Sequence, residues 1–227
     1  MSNKKTKNRQ QVLKTESKIS RHLKARNEKQ QQLIDSIATN DITFAIGPAG
    51  TGKTCVSVGC AVQNLFSKNV DKIVISRPLI GAGEEPGALP GGISDKLYPF
   101  LIPLYDELEQ FVSKPEIESW LIHGILEIVP MAYARGRTFK NTFVILDEAQ
   151  NATAEQIKMF LTRLGEGSKM VINGDHTQSD LKPHVRGGLE SHCKKLENLD
   201  GLGIIVLDKT DIVRHPLVAK IIERLEY

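Results

Sequence analysis

The architecture of this chain follows from one stretch, in which a short apolar run leads into a glycine-rich loop: Ile42-Thr43-Phe44-Ala45-Ile46-Gly47-Pro48-Ala49-Gly50-Thr51-Gly52-Lys53-Thr54. The loop has the spacing Gly-x-x-x-x-Gly-Lys-Thr, and residues 55–66 are predicted to form a helix directly after it. A strand, a loop of this kind and a helix, in this order, are typical of a phosphate-binding loop. We therefore predict that residues 47–54 bind a nucleoside triphosphate.

Each part of the predicted loop has a task in binding the phosphates. Glycine at positions 47, 50 and 52 allows backbone N–H groups to turn inward and approach a polyphosphate closely. The N-terminal end of the following helix adds its positive dipole to this anion site. Lys53 is predicted to reach the β- and γ-phosphates, and the Thr54 hydroxyl to bind Mg²⁺. By itself the loop fits either ATP or GTP.

The composition is that of a globular protein with a real core. The 227 residues are 40% hydrophobic and 25% charged, which fits one large domain or one domain with an extension. No apolar run is long enough to span a bilayer, and the basic N-terminus is not followed by the apolar segment of a secretory signal. The three cysteines, Cys55, Cys60 and Cys193, match neither a disulfide framework nor metal-ligand spacing. These observations predict a reducing, cytoplasmic location without a membrane partner.

The net charge of +3 conceals an uneven distribution. Residues 1–29 carry ten Lys or Arg against two Glu, whereas the remainder carries 20 basic and 25 acidic residues. We predict a basic, partly disordered or helical arm over residues 1–26 and a single domain over residues 27–227. A basic arm on a mildly acidic domain indicates attraction to a polyanion such as nucleic acid. A solvated tail without a dedicated partner is the alternative.

The rest of the chain alternates between short apolar runs and amphipathic segments. Helices are predicted at 20–37, 94–112, 115–122, 153–164, 186–196 and 216–225. Strands are predicted at 42–46, 72–76, 126–129, 170–172 and 204–207, with a further strand that starts at Phe143 and runs into two carboxylates. Residues 81–92 contain five Gly and two Pro, which predicts a long functional loop. The alternation predicts an α/β fold with a mostly parallel sheet covered by helices on both faces.

The two carboxylates after the Phe143 strand are Asp147 and Glu148. Asp147, at the end of a buried strand, is placed to hold the Mg²⁺ that Thr54 also binds. Glu148 beside it is predicted to act as a general base on the attacking water. An acidic pair is weak as an isolated signal, but its position about 90 residues after the loop, at the edge of the same sheet, makes it specific.

Three further residues are candidates for the same site. Gln178 follows the 170–172 strand and is predicted to sense the γ-phosphate or to orient water, with a simple turn residue as the alternative. Arg214 lies between the last predicted strand and the last predicted helix, where an arginine finger would stabilise charge on the γ-phosphate. Its alternative is a surface arginine that pairs with Asp211. Gln30, upstream of the first strand, is a candidate for reading an adenine edge.

Several motifs together resemble one family, the PhoH proteins. They are the loop Gly47–Thr54, Ser76-Arg77-Pro78, Gly83-Glu84 with Leu89-Pro90-Gly91, Arg135-Gly136-Arg137-Thr138, Phe143 to Asn151, Leu161 to Gly165, Gly174 to Gln178, and Val213-Arg214-His215-Pro216. The resemblance covers about residues 27–227. The sequence departs from the family at Gly187, where a serine is usual, and its basic arm stands in place of the KH-like or PIN domain that bacterial members often add.

The resemblance implies a P-loop NTPase of the RecA-like type, similar to a single core of superfamily 1 helicases and associated with phosphate starvation. Phage genomes often carry short members of the family. If this chain is one of them, its predicted location is the host cytoplasm. The implied activity is Mg²⁺-dependent ATP hydrolysis, coupled to RNA or single-stranded DNA in a helicase-like manner. Arg77, Arg135 and Arg137 are the candidate nucleic-acid contacts, although Arg135 and Arg137 could equally hold acidic groups of the fold.

A helicase site needs an arginine from a second core, and this chain contains one core. Arg214 is therefore expected to act on a neighbouring subunit's ATP, which predicts a homo-oligomer, a hexameric ring in the simplest case. Two other readings stay open: a P-loop kinase that acts on a small acceptor, with residues 81–92 as its lid, and a slow nucleotide-dependent scaffold. The choice of polymer, the direction of any unwinding and the physiological substrate do not follow from these residues.

Overall fold

The computed structural model describes residues 19–78, 102–181 and 187–213, together with Leu217 and Arg224. Within these residues six strands form one sheet: β1 (Ile42–Ile46), β2 (Lys72–Arg77), β3 (Leu126–Pro130), β4 (Thr142–Leu146), β5 (Lys169–Gly174) and β6 (Leu202–Val206). The spatial order is β3-β2-β4-β5-β1-β6, and every neighbouring pair is parallel. The predicted parallel α/β sheet is confirmed.

Each predicted strand is present, with ends that differ by a few residues. The central strands are apolar because both of their faces are covered. Alternate side chains therefore enter different cores: Ile73 and Ile75 of β2 pack into one core, and Val74 packs into the other. In β4, Phe143 and Ile145 likewise pack into the first of these cores, whereas Val144 and Leu146 pack into the other. This alternation follows from the two-residue period of a strand.

Helical segments cover both faces of this sheet. Along the described chain they are α1 (Glu28–Thr39), α2 (Lys53–Phe66), α3 (102–109), α4 (Lys114–Ile122), α5 (Ala154–Leu161) and α6 (Leu189–Leu196), with 3₁₀ turns at Met131–Ala134, Ala149–Asn151 and Lys209–Asp211. Residues from α1 to α4, such as Leu33, Val58 and Trp120, belong to the first core. Ile157, Phe160 and Leu189 of α5 and α6 belong to the second. No helix in the described ranges is long and apolar enough to cross a membrane.

Several predicted helix boundaries are wrong: α3 ends at 109 and not at 112, and α6 begins at Leu189 and not near 186. The helix predicted from Ser20 begins at Glu28, because the Asn27 side chain accepts a hydrogen bond from Gln30 N and so caps the first turn. The helix predicted to run to Leu164 ends at Leu161. Its start is set by a reciprocal capping box between Thr153 and Gln156. The loop predicted at 81–92 and most of the helix predicted at 216–225 lie outside the described residues.

The strand order brings distant parts of the chain to one edge. β1, which leads into the glycine-rich loop, lies beside β5, and β5 lies beside β4. In a parallel sheet the strands all end at the same edge, where open α/β sheets bind ligands. The loop after β1, the carboxylates after β4 and the Asp175 turn after β5 therefore meet.

Candidate nucleotide-binding site

The glycine-rich loop adopts a conformation that requires glycine at two positions. Gly50 and Gly52 have φ values of 86° and 84°, and Gly52 directly precedes α2. The loop is tied to its neighbours by backbone hydrogen bonds from Gly47 N to Gly174 O (3.0 Å) and from Val213 N to Gly50 O (2.9 Å). The loop is thus held open over the N-terminal end of a 14-residue helix, as an anion site requires.

Lys53 points back into the concave side of this loop. Its Nζ donates to the carbonyl oxygens of Gly47 (2.6 Å) and Pro48 (2.9 Å). Burial lowers the Lys53 pKa, against the opposing attraction of Asp175, Asp147 and Glu148. A phosphate in the loop would bring the anionic partner that favours the charged ammonium, so the lysine lies where its predicted role needs it.

Thr54 and Asp147 meet across 93 positions of sequence. The Thr54 Oγ1 donates to Asp147 Oδ1 at 2.8 Å, and Asn173 Nδ2 lies 3.4 Å from the same oxygen. Asp147 is almost fully buried, with 2% of its surface exposed. A hydroxyl and a carboxylate oxygen are the hard donors that Mg²⁺ prefers, and Mg²⁺ commonly takes only one or two protein ligands beside phosphate oxygens and water. The donor set fits the predicted metal, and among the described residues no cluster of three or more His, Cys, Asp or Glu offers a dedicated cage.

Arg77 also contacts Asp147 and Glu148, and its predicted contact with nucleic acid stays a prediction. Its Nε and Nη2 donate to Asp147 Oδ2 at 3.0 and 2.7 Å, and Nη2 lies 3.6 Å from Glu148 Oε1. The reason is the sheet register: β2 and β4 are neighbours, and Ser76 O accepts from Asp147 N at 2.8 Å. Arg77 at the end of β2 is therefore next to the first residue after β4.

Glu148 has an uncommon backbone conformation. Its φ is 56° and its ψ is 39°, a left-handed geometry that costs a non-glycine residue energy and is found preferentially at functional sites. Its Oε2 accepts from Gln150 Nε2 at 2.6 Å, and 46% of its side chain is exposed towards the cavity side of the sheet edge. The predicted general base is thus reachable by solvent and held by a neighbouring amide.

Two other polar residues join the site without having been assigned a role from the sequence. Gln150 bridges the turns after β4 and β5, since its Oε1 accepts from Asp175 N at 3.0 Å while its Nε2 holds Glu148. Asp175 is buried; its Oδ1 accepts from Thr177, whereas its Oδ2 is buried and has no hydrogen-bond partner among the described residues. Their positions directly after predicted strands were the available signal.

Gln178 and Gln30 both line the cavity beside the glycine-rich loop. Gln178 is exposed, and its backbone N donates to Asp175 O at 3.2 Å. Gln30 is buried: its Nε2 donates to Thr51 O at 2.9 Å, and its Oε1 accepts from Arg26 N. The Gln30 amide therefore braces the loop, and adenine recognition by Gln30 stays a prediction.

The cavity enclosed by these residues has a volume of about 400 Å³, which suits a nucleotide. Beyond the phosphate-binding half, its walls come from the 19–27 segment and from the α3 region: Arg21, Leu23, Lys24, Arg26, Cys55, Glu107, Gln110 and Phe111. Residues before position 27 therefore belong to the site, and Ser20 N donates to Phe111 O at 2.7 Å. Burial raises the Cys55 thiol pKa to about 11, in agreement with a packed, unreactive cysteine.

The remaining predicted arginines lie away from the cavity walls or outside the described ranges. Arg137 pairs with Glu127 at 2.6 Å and lies 5.1 Å above the Phe139 ring, so it holds an acidic group of the fold. Arg135 is exposed. Arg214 lies outside the described residues, and its predicted role as an arginine finger stays a prediction.

Comparison with known proteins supports one family. The family described as PhoH-like protein matches residues 22–226. The PhoH-like protein of Bacillus subtilis (strain 168) is 47% identical over 209 residues, which cover 92% of this chain and 66% of that protein. Protein PhoH of Escherichia coli (strain K12) is 45% identical over 201 residues, which cover 85% of this chain and 55% of that protein. The chain thus spans between about half and two thirds of the length of these relatives.

A solved structure shares the fold. The large terminase from a thermophilic bacteriophage superposes with a TM-score of 0.50 at 14% identity, and covers 88% of this chain and 50% of the terminase chain. At this identity the likeness concerns the fold alone, and it agrees with the predicted RecA-like P-loop NTPase architecture. The family match, by contrast, extends over most of the chain and includes the loop, Asp147 and Glu148. The chain belongs to the PhoH-like protein family.

Proposed function

We propose that this chain hydrolyses ATP with Mg²⁺ and couples hydrolysis to RNA or single-stranded DNA. The observation that carries the proposal is the hydrogen bond from Thr54 to Asp147, beside Lys53 and Glu148 in one cavity of nucleotide size. These are the parts that P-loop hydrolysis requires, namely a phosphate cradle, a metal site and a residue to activate water.

The proposed reaction divides its tasks among these residues. Backbone N–H groups of the loop and the Lys53 ammonium bind the β- and γ-phosphates, and Lys53 exchanges its two carbonyl partners for phosphate oxygens. Thr54 and Asp147 would hold Mg²⁺, which neutralises charge on the phosphates when bound. Glu148 accepts a proton from the attacking water, and Gln150 keeps its carboxylate in place. Gln178 orients that water or senses the γ-phosphate.

The polymer-binding part of the proposal rests on the same sheet edge. The 3₁₀ turn Met131–Ala134 follows the carboxyl end of β3 and presents Tyr133, which is 50% exposed, next to the exposed Arg135. An exposed aromatic ring beside a cation is suited to stack a base and to contact a phosphate. We assign this pair to single-stranded nucleic acid, whereas Arg77 already pairs with Asp147 and Arg137 with Glu127.

Single-stranded RNA or DNA is expected to raise the ATP turnover rate. The Tyr133→Ala variant should need about tenfold more polymer for half-maximal stimulation, because one stacking contact is worth roughly 1–3 kcal/mol. Turnover is measured by phosphate release across a titration of each polymer, with the exposed Ile122 replaced by Ala as the control. If neither polymer stimulates the unmodified protein, the proposed coupling to nucleic acid is wrong. The protein is then either an ATPase without coupling or a kinase, and a search for phosphorylated acceptors distinguishes these two functions.

The proposed assembly is a homo-oligomer, a hexameric ring in the simplest case, in which Arg214 acts on a neighbouring subunit. Samples of Lys53→Ala and Arg214→Ala, mixed under conditions that exchange subunits, are then expected to hydrolyse ATP faster than the two variants measured separately. Each Lys53→Ala subunit would supply Arg214 to an intact loop next to it. If the mixture equals the sum of the separate rates while light scattering shows mixed oligomers, Arg214 does not act in trans. Cys55, Cys60 and Cys193 are free thiols, and the cytoplasmic location stays a prediction.

A further inference from the structure

The two oxygens of the Asp147 carboxylate have separate partners. Oδ1 faces the phosphate-binding side, where it accepts from Thr54 Oγ1 at 2.8 Å and lies 3.4 Å from Asn173 Nδ2. Oδ2 accepts both donors of Arg77, Nε at 3.0 Å and Nη2 at 2.7 Å. One oxygen is thus directed towards the proposed metal, and the other is occupied by a guanidinium.

Arg77 reaches this carboxylate from behind the cavity wall. Asp147 and Glu148 are among the side chains that line the cavity, whereas Arg77 is not, and only 20% of its side chain is exposed. Its position is determined by the backbone, because β2 and β4 are paired up to Ser76 and Leu146 and the next residues are Arg77 and Asp147. An arginine in this place can hold the carboxylate without entering the space that the nucleotide needs.

A buried carboxylate at a metal site has two requirements. Its charge must be compensated, because burial of an unpaired carboxylate is costly, and its plane must be set so that one oxygen meets the metal. The two Arg77 donors meet both requirements, since a charged guanidinium with a rigid planar shape bonds one oxygen at two points. The 3.6 Å approach of Nη2 to Glu148 Oε1 links the same guanidinium to the proposed general base.

We propose that Arg77 is a positioning residue for the magnesium-binding carboxylate: it holds Asp147 Oδ2 so that Oδ1 is presented to Thr54 and the cation. This proposal deepens the proposed function and rests on it for the identity of the nucleotide and the metal. Arg77 acts through Asp147 and does not itself contact the nucleotide.

The test uses Arg77→Gln and Arg77→Lys in the full chain. The readout is the Mg²⁺ concentration that gives half-maximal tightening of binding of a fluorescent, non-hydrolysable ATP analogue, measured from EDTA upwards. Arg77→Gln is expected to raise this concentration at least about tenfold, the usual effect of removing a residue that orients a metal ligand. Binding in EDTA should change little. Arg77→Lys should fall between Arg77→Gln and the unmodified protein, because the charge returns without the two-point geometry.

The matched control is Lys72→Gln, on the other end of the same strand. Lys72 also pairs with a carboxylate, that of Glu127, and lies outside the nucleotide cavity. Its Mg²⁺ dependence should equal that of the unmodified protein. Thermal unfolding shows which variants are folded. If Arg77→Gln does not fold, the Mg²⁺ dependence of Arg77→Lys is compared with that of the control instead.

Two outcomes would overturn the proposal. An unchanged half-saturating Mg²⁺ concentration in folded Arg77→Gln would show that Asp147 needs no orientation. A lower concentration would show that Arg77 competes with the cation for Asp147. The readout is nucleotide binding, so it does not depend on hydrolysis. If the unmodified protein binds Mg²⁺ and nucleotide but does not hydrolyse ATP, the proposed function is wrong, and the role of Arg77 can still be tested.

Discussion

Glu148→Gln is expected to lower the ATP turnover rate by about 10²–10⁴-fold, the usual contribution of a general base. The substitution keeps the shape of the side chain, and the new amide oxygen can still accept the Gln150 bond that Glu148 Oε2 accepts now. The amide cannot take a proton from water, so the chemical step alone is impaired. Binding of Mg²⁺ and ATP, measured with a fluorescent analogue, should stay within about threefold of the unmodified protein, because Glu148 belongs to neither the phosphate cradle nor the Thr54–Asp147 pair.

The control for this variant is Glu155→Gln. Glu155 is an exposed acid in the first turn of α5, so its replacement removes the same charge without touching the cavity. A Glu148→Gln variant that hydrolyses ATP as fast as Glu155→Gln would exclude Glu148 as the base. A variant that loses turnover but retains the biological function of the chain would favour the scaffold alternative over the ATPase proposal.

Lys53→Ala is expected to weaken ATP binding by about 100-fold or more. Charge-assisted hydrogen bonds are worth roughly 1.5–3 kcal/mol each, and Lys53 is placed to make such bonds to both the β- and γ-phosphates. The chain itself should tolerate the change, because burial already disfavours the charged lysine, as its lowered pKa shows. Dissociation constants from calorimetry and unfolding curves without nucleotide test both statements.

Lys195→Ala serves as its control, since Lys195 is an exposed lysine in the last turn of α6. Nucleotide affinity of Lys53→Ala within about threefold of this control would mean that the loop binds phosphates through its backbone alone. Loss of the folded state in Lys53→Ala, seen as an absent unfolding transition, would instead show that the bonds to Gly47 and Pro48 carry much of the loop's stability.

Much of this fold and site could be predicted because the signals are local. The spacing of Gly47, Gly50, Gly52 and Lys53 indicates a backbone shape that needs glycine at fixed positions of the loop. The strand before Asp147 is recognisable by its apolar side chains, since a strand covered on both faces must be apolar throughout. The pairing of Thr54 with Asp147 could then be inferred, because strand ends of a parallel sheet meet at one edge.

Other features were predicted wrongly or left undecided. The start of α1 was placed eight residues too early, because the basic amphipathic pattern continues through residues 20–27 while Asn27 caps the helix. Those residues instead line the cavity, with Leu23 and Arg26 among its walls. Arg137 was left undecided between nucleic acid and the fold until Glu127 and Phe139 proved to be its neighbours.

By itself the sequence indicated the parallel α/β class, the phosphate-binding loop and the acid pair after β4, because each of these is marked by a local pattern of residue types. Only the tertiary structure decided that Arg77 holds Asp147, 70 positions away, and that Gln30 braces Thr51 in the loop. The physical reason is the register between β2 and β4 and the packing of α1 against the loop, which depend on the whole core at once. Side chains that support the site are therefore revealed by the fold, whereas those proposed to carry the chemistry could be found from the sequence.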